Sequence, residues 1–180
     1  MNNVIYYKIK KIPNDNSFIK LLPKNVIEHS INKYGEDGCI KSLYAYYLLG
    51  EISGVNLNTL RFLENGKPIV DEMQISISHS KNYVAVCYSK CNSDISIDIE
   101  CHSKNFNNTF KFAKLYKGFL NVSNDVFYDK WTEYECLLKV LNYKVYSKVL
   151  EDFKGTTFQL IDNNDKYSVS IYHTGILVEK

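Results

Sequence analysis

The stretch that decides the fold is Ile95-Ser96-Ile97-Asp98-Ile99-Glu100. Three isoleucines alternate with Ser96, Asp98 and Glu100, which is the two-residue period of a half-buried strand. The isoleucine face belongs to a core. Asp98 and Glu100 leave together from the other face. Adjacent carboxylates repel each other unless water or a cation lies between them. A solvated edge strand is the ordinary reading of an isolated D-x-E pair. Half of a divalent-metal site is the sharper one.

The same alternation occurs upstream in Ile75-Ser76-Ile77-Ser78-His79-Ser80. It sends Ile75 and Ile77 to the core and Ser76 and Ser78 to an open face, with His79 where the strand ends. Tyr83 to Tyr88 is an apolar strand close behind, so the two form a hairpin around Ser80-Lys81-Asn82. A strand-end histidine beside hydroxyls can bind an anion or move a proton; it can equally be a hydrogen-bonded turn residue. No acidic partner follows in the order of a nucleophilic triad, which argues against a serine hydrolase. Leu60 and Phe62 mark a short strand running into Glu64-Asn65-Gly66-Lys67-Pro68. Asn-Gly is a turn signal and Pro68 fixes the chain after Lys67, so Lys67 is either a phosphate contact or a solvated loop lysine.

Val4 to Ile12 reads as a first strand, ended by Pro13-Asn14-Asp15. Pro23 opens a helix carrying Val26, Ile27 and Ile31, and Gly35-Glu36-Asp37-Gly38 is a break. A second helix runs from Ile40 through Gly50. Asn105 to Leu120 is a further helix. Val126 to Leu141 is the strongest, with Trp131, Tyr134, Leu137, Leu138 and Leu141 along one face and Glu135 and Lys139 at its edge. As an ordinary surface i,i+4 pair, Glu135 and Lys139 would contribute only about 0.3–0.5 kcal/mol. Phe153 to Ile161 and Tyr167 to Tyr172 are closing strands around Asp162-Asn163-Asn164-Asp165. The order strand, helix, helix, strands thus occurs twice, dividing near Asp94, without residue-level identity between the halves.

A chain of 180 residues that is 45% hydrophobic suits one compact domain or two small lobes sharing a core. A net charge of +2 is too small to imply nucleic acid or an anionic membrane as partner. The Lys-Tyr interleaving of Lys111–Lys117 and Asn142–Lys148 is the feature a nucleic-acid module would offer, with no recognised motif beside it. Five cysteines without C-x-x-C spacing read as free thiols of a reducing cytosol. A zinc site from Cys87, Cys91, Cys101 and His102 fits no standard framework. The first residues carry no apolar signal-peptide core, and no apolar run is long enough to cross a bilayer, so a cytoplasmic protein is expected.

In sequence order stand Lys41-Ser42-Leu43, Asn65-Gly66-Lys67-Pro68, Ile75 to Ser80, Ile95 to Glu100, and Trp131-Thr132-Glu133-Tyr134-Glu135-Cys136-Leu137-Leu138-Lys139. This ordered set resembles the 4'-phosphopantetheinyl transferases of the surfactin-synthetase-activating type, from about Lys41 to Phe153. Their signatures are an N-G-K-P turn, an N-I-S-H-S strand end, an I-G-I-D-I-E strand and W-x-x-K-E-x-x-x-K on a helix.

The resemblance implies an α/β (α+β) fold made of a pseudo-two-fold pair of similar lobes, each a small, mainly antiparallel sheet packed on helices. The N-terminal lobe would span residues 1–93 and the C-terminal lobe 94–180, with coenzyme A in the cleft between them. It implies that Asp98, Glu100 and Glu135 hold Mg2+, and that Lys67, Ser78 and His79 bind the phosphates of the 3'-phospho-ADP moiety. Lys41 stands where the family has a phosphate-binding Arg, and Lys139 would contact the pyrophosphate. Asp98, Glu135 and Lys139 form the catalytic set, with Glu135 the candidate general base. The implied enzyme moves phosphopantetheine from coenzyme A to a serine of an apo acyl or peptidyl carrier protein, as in secondary metabolism, and releases 3',5'-ADP. It would be a monomer with neither nucleic-acid nor membrane partners. The alternative is a catalytically silent relative that binds coenzyme A or a carrier protein.

Several positions depart from the family pattern. Ser96 replaces the first Gly of I-G-I-D, and Tyr134 replaces the Lys before Glu135. Asn142 and Lys144 stand where Gly is usual, a Glu-rich segment is not evident in Asn105–Asp125, and the last strands look short. Lys33 is the nearest candidate for an N-terminal phosphate-binding base. On this reading Asp98 is an exposed ligand, and Asp98→Ala would abolish transfer with little loss of folding.

Overall fold

The computed structural model of the chain describes residues 3–64, 66–70, 73–91, 94–102, 123–141 and 153–180. The expected helix over Asn105–Leu120, the positions Asn142 and Lys144, and Asn65 of the N-G-K-P turn lie outside the described residues.

The first half runs β1 (Val4–Lys11), α1 (Lys24–Gly38), α2 (Ile40–Ser53), β2 (Arg61–Phe62), β3 (Pro68–Ile69), β4 (Gln74–Ser80) and β5 (Tyr83–Ser89). The second runs β6 (Ser96–Cys101), α3 (Asn124–Val140), β7 (Gly155–Asp162), β8 (Asp165–Tyr172) and β9 (Ile176–Glu179). The expected break after Tyr34 is a kink at Gly35, whose φ of 74° is open to glycine and strained for most other residues. The two hairpin turns place Lys81 and Asn163 in the left-handed region, at φ 52° and 54°.

Two sheets carry the fold, ordered β4-β5-β1-β9 and β6-β8-β7, with β2-β3 as a small ribbon beside them. Each half builds its sheet in the same way. A hairpin (β4–β5 or β7–β8) takes the first strand of its own half, β1 or β6, antiparallel against the hairpin's second strand. The chain is therefore α+β, with one arrangement used twice. The repeat noted in the sequence is a repeat of topology.

Strand alternation then decides the layers. On the first sheet Ile75, Val84, Val86 and Tyr88 face α2, where Leu43, Tyr44, Leu48 and Leu49 complete a buried cluster. Ile5, Ala85 and Cys87 point the other way and meet Ile97, Ile99, Val169 and Ile171 of the second sheet. The order through the molecule is helices, sheet, sheet, helix. Burying each of these aliphatic side chains is worth about 1.5–3 kcal/mol, which makes the sheet-to-sheet layer a principal source of stability.

The helix α3 closes the far side of the second sheet, but not along the expected face. Ser123 caps it by accepting from Val126 N–H, Asp125 lies in the first turn and Lys139 in the last, so both charges suit the helix dipole. Tyr134 and Leu137 are buried, whereas Trp131 and Leu138 are half-buried and Leu141 is exposed. The side that meets the sheet is small and polar. Thr132 Oγ1 and Ser170 Oγ are 2.7 Å apart, Ser96 donates to Cys136 O at 2.8 Å, and Cys136 Sγ donates to Ser170 O at 3.2 Å. Short side chains bring the helix close to the strands, and their hydrogen bonds satisfy the groups so buried. Ser96, which stands where the I-G-I-D pattern has its first Gly, is fully buried under α3.

The strand β9 was not legible in the sequence. Although it follows the second half, it pairs parallel with β1, Val4 against Ile176 through Tyr7 against Glu179, and so joins the first sheet. Two ion pairs tie the sheets at one end: Lys11 to Asp162 and Lys81 to Asp165, both at 2.6 Å. No helix among the described residues is long and apolar enough to cross a membrane.

Candidate functional site at the seam between the sheets

The edge strands β4 and β6 run side by side in step but form no backbone ladder. Serine hydroxyls fill the gap. Ser76 Oγ accepts from Ile97 N–H at 3.2 Å and Ser80 Oγ from Cys101 N–H at 2.9 Å. Ser78 donates to Asp98 Oδ1 at 2.7 Å and Ser80 to Glu100 Oε2 at 2.6 Å. The face expected to be open is therefore covered by the second half of the chain, and Ser76 is buried in it. In this structure the proton of Ser78 serves Asp98 rather than a ligand phosphate.

The last turn of α3 brings Lys139 to the same place. Its ammonium donates to Asp98 Oδ1 and to Ile97 O, both at 2.8 Å. Burial, the largest influence, disfavours that charge, but Asp98, Cys136 and Glu135 together outweigh it and the pKa of Lys139 is raised, so it stays an ammonium. Asp98 is 5% exposed, which corrects the expectation of an exposed ligand. While Oδ1 has two donors, Asp98 Oδ2 is buried with no hydrogen-bond partner among the described residues. Leaving such an oxygen unpaired costs about 1–3 kcal/mol, more for a charged group.

Glu135 lies within electrostatic reach. Burial first, then the Asp98 charge, pushes its carboxyl up to about 7; Lys139 opposes this and Glu100 adds to it. Burial also raises Glu100, with the Ser80 hydrogen bond working against the shift. Three acidic groups thus face a seam where one ammonium is too little to balance them. Among the described residues no three His, Cys, Asp or Glu side chains are gathered into a ready-made metal cluster. This includes the four residues of the alternative zinc set, of which Cys87 lies in the core between the sheets. The donor chemistry nevertheless fits a hard divalent ion: carboxylate oxygens only, one of them buried and unpartnered. Such an ion would need further oxygens from a bound ligand.

Lys139, which bonds Asp98, also lines a cavity of about 200 Å³ together with Lys33, Tyr34, Tyr46, Lys67 and Ser76. Its charged lining residues are all lysines, brought together from α1, the β2–β3 turn and α3. Gly66 shapes one wall: at φ 77°, a Cβ there would lie 2.8 Å from Lys33 Nζ. Lys33 also sits over the Tyr34 ring, 5.1 Å from its centroid. The sequence offered only weak signs of Lys33, because nothing in its spacing ties α1 to the turn before Pro68.

His79 and Lys41 take a different position. His79 lies within β4 on the helix side of the sheet, with its ring edge-on to Tyr34 at 6.1 Å. Burial above all, with the Lys41 and Lys139 charges adding to it, lowers its pKa, so near neutrality it is an uncharged imidazole. Lys41 does not line the cavity of Lys33 and Lys67. It opens α2 and borders a second groove of about 260 Å³ with Lys11, Asn14, Lys81 and Asn82. Tyr134, at the position of the missing lysine, is buried and packs on Trp131, so it supplies no cation.

No protein-family model matches the sequence, and no curated protein matches it.

Proposed function

We propose that the chain is a Mg2+-dependent 4'-phosphopantetheinyl transferase that takes coenzyme A as donor and a carrier-protein serine as acceptor. The observation that carries the reading is the juxtaposition of a lysine-lined cavity with three carboxylates at one seam. A ligand that satisfies both must be a polyanion able to share a divalent ion, and a pyrophosphate is such a ligand.

On this reading Lys33 and Lys67 bind phosphate oxygens, each as a charged donor in a partly enclosed site. Lys139 holds Asp98 and balances part of the charge of the diphosphate. Glu135 accepts the proton of the attacking serine hydroxyl. Without the ion, burial and the Asp98 charge push the Glu135 carboxyl up to about 7; a bound Mg2+ would favour its ionised form, the form that accepts a proton. His79 contributes a neutral N–H rather than a cation. Mg2+, held by Asp98, Glu100 and Glu135, would neutralise the diphosphate during transfer. The acceptor serine attacks the β-phosphorus, the bond to the bridging oxygen breaks, and 3',5'-ADP leaves. Coenzyme A and carrier proteins are cytoplasmic partners, and a chain carrying both halves completes the seam as a monomer.

Incubation of an apo carrier protein with this chain, coenzyme A and Mg2+ should add one phosphopantetheine to the carrier, read by mass spectrometry. A chain that binds coenzyme A yet leaves several apo carriers unmodified would favour the second reading, a silent coenzyme A-binding relative. The buried Tyr134, which brings no charge to the seam, is the feature that speaks for it.

A further inference from the structure

We infer that Ser80 is a positioning residue for the divalent-ion site, acting through Glu100; this rests on the proposed transferase reading. A serine hydroxyl has one proton and two lone pairs. Ser80 Oγ already accepts from Cys101 N–H at 2.9 Å, so its direction is fixed by the backbone of β6. Its single proton is then aimed at Glu100 Oε2, 2.6 Å away. The bond is charge-assisted, and its length is typical of a hydroxyl on a carboxylate.

The two carboxylates of the seam are held differently. Asp98 has the Lys139 ammonium and the Ser78 hydroxyl on one oxygen. Among the described residues Glu100 has no salt bridge to a lysine, arginine or histidine. A glutamate has three side-chain torsions, so an unheld one loses more freedom on binding an ion than a held one does. By fixing Oε2, Ser80 reduces that loss and leaves the other oxygen as the ligand. The alternation along β4 makes this possible: Ser76, Ser78 and Ser80 all face β6, and the last in step with Glu100 is Ser80. Partners of metal ligands commonly change ion affinity by about 10–100-fold when removed.

The test uses Mn2+ as a spectroscopic substitute for Mg2+, measured by electron paramagnetic resonance on the full chain saturated with coenzyme A. Affinity for coenzyme A without metal is measured in parallel by calorimetry. Ser80→Ala should weaken Mn2+ binding about 10-fold and leave metal-free coenzyme A affinity unchanged. Ser80→Thr, which keeps the hydroxyl, should restore Mn2+ binding to near the wild-type value. Should the alanine variant fail to fold, Ser80→Cys keeps the volume, replaces the hydroxyl by a weak donor, and is expected to lose several-fold. If wild-type Mn2+ binding is abolished by Asp98→Asn but unchanged in the Ser80 variants, the assignment is overturned and the transferase reading stands. Equal losses of metal and of metal-free coenzyme A affinity would mean a merely structural role and overturn it too. A wild-type chain that binds coenzyme A but no Mn2+ removes the metal reading, and this assignment with it.

Discussion

The Asp98–Lys139 pair can be weighed by a double-mutant cycle with Asp98→Asn and Lys139→Met. The two groups meet at 2.8 Å with side-chain exposures of 7% and 21%, so water screens them little. Lys139→Met leaves Asp98 with the Ser78 hydrogen bond on one oxygen and nothing on the other. Removing one partner of a buried pair costs about 3–5 kcal/mol. Asp98→Asn keeps the shape and a carbonyl for Ser78, while Lys139 retains Ile97 O and a fifth of its exposure; about 2–3 kcal/mol is expected. The double variant contains no unpaired charge and should lose about 2 kcal/mol less than the sum of the single losses. Urea unfolding in the presence of a chelator reads all four proteins. A coupling energy below about 0.5 kcal/mol would mean that solvent already separates the pair, and the low-dielectric seam on which the site rests would be refuted. The same numbers revise the view from sequence that Asp98→Ala would spare folding. It should destabilise the chain as well as silence it.

Two further outcomes follow from the geometry. The Glu135 carboxyl is pushed up to about 7 in the folded protein from an ordinary value of 4.5, so the folded state holds its proton to higher pH than the unfolded state does. The metal-free protein should therefore lose stability as pH rises from about 4.5 to about 7, by roughly 3 kcal/mol in all, and no such loss is present below that window. Glu135→Gln should flatten this slope in urea titrations across that range, and a slope unchanged by the substitution contradicts the shift. Gly175→Ala tests the β9 junction: the new Cβ would sit 2.1 Å from Asn3 O, the same carbonyl that accepts from Ile176 N–H. A loss of about 1–3 kcal/mol is expected, with amide exchange fastest in β9, and a wild-type melting curve would disprove the close approach.

Much of this fold is legible because alternation is a local signal. Ile75 with Ile77 and Ile95 with Ile99 announce their strands by period two, and Tyr83 to Tyr88 announces a strand buried on both faces. The acidic pair of the site was legible for the same reason, since Asp98 and Glu100 share a face of such a strand. What escaped depends on contacts between distant segments. The α3 surface that meets the sheet is Thr132 and Cys136, residues to which a hydrophobic stripe is blind. The four residues of β9 are too short for a period and gain their identity only from β1. Lys33 joins Lys67 across a turn, and Ser80 finds Glu100 across the seam, through packing that no spacing within either segment specifies. The burial of Asp98 follows from the second half closing on the first.

The parallel seat of β9 beside β1 has a mechanical consequence. The chain leaves the first sheet after β5, builds the second, and then returns, so the second half is anchored at its start and at its finish. A body tethered twice to its neighbour cannot swing like a jaw on one joint; opening it requires peeling four residues from a strand edge first. Parting the β4–β6 seam, which the Ser76, Ser78 and Ser80 hydroxyls close, therefore means undoing the β1–β9 pairing as well.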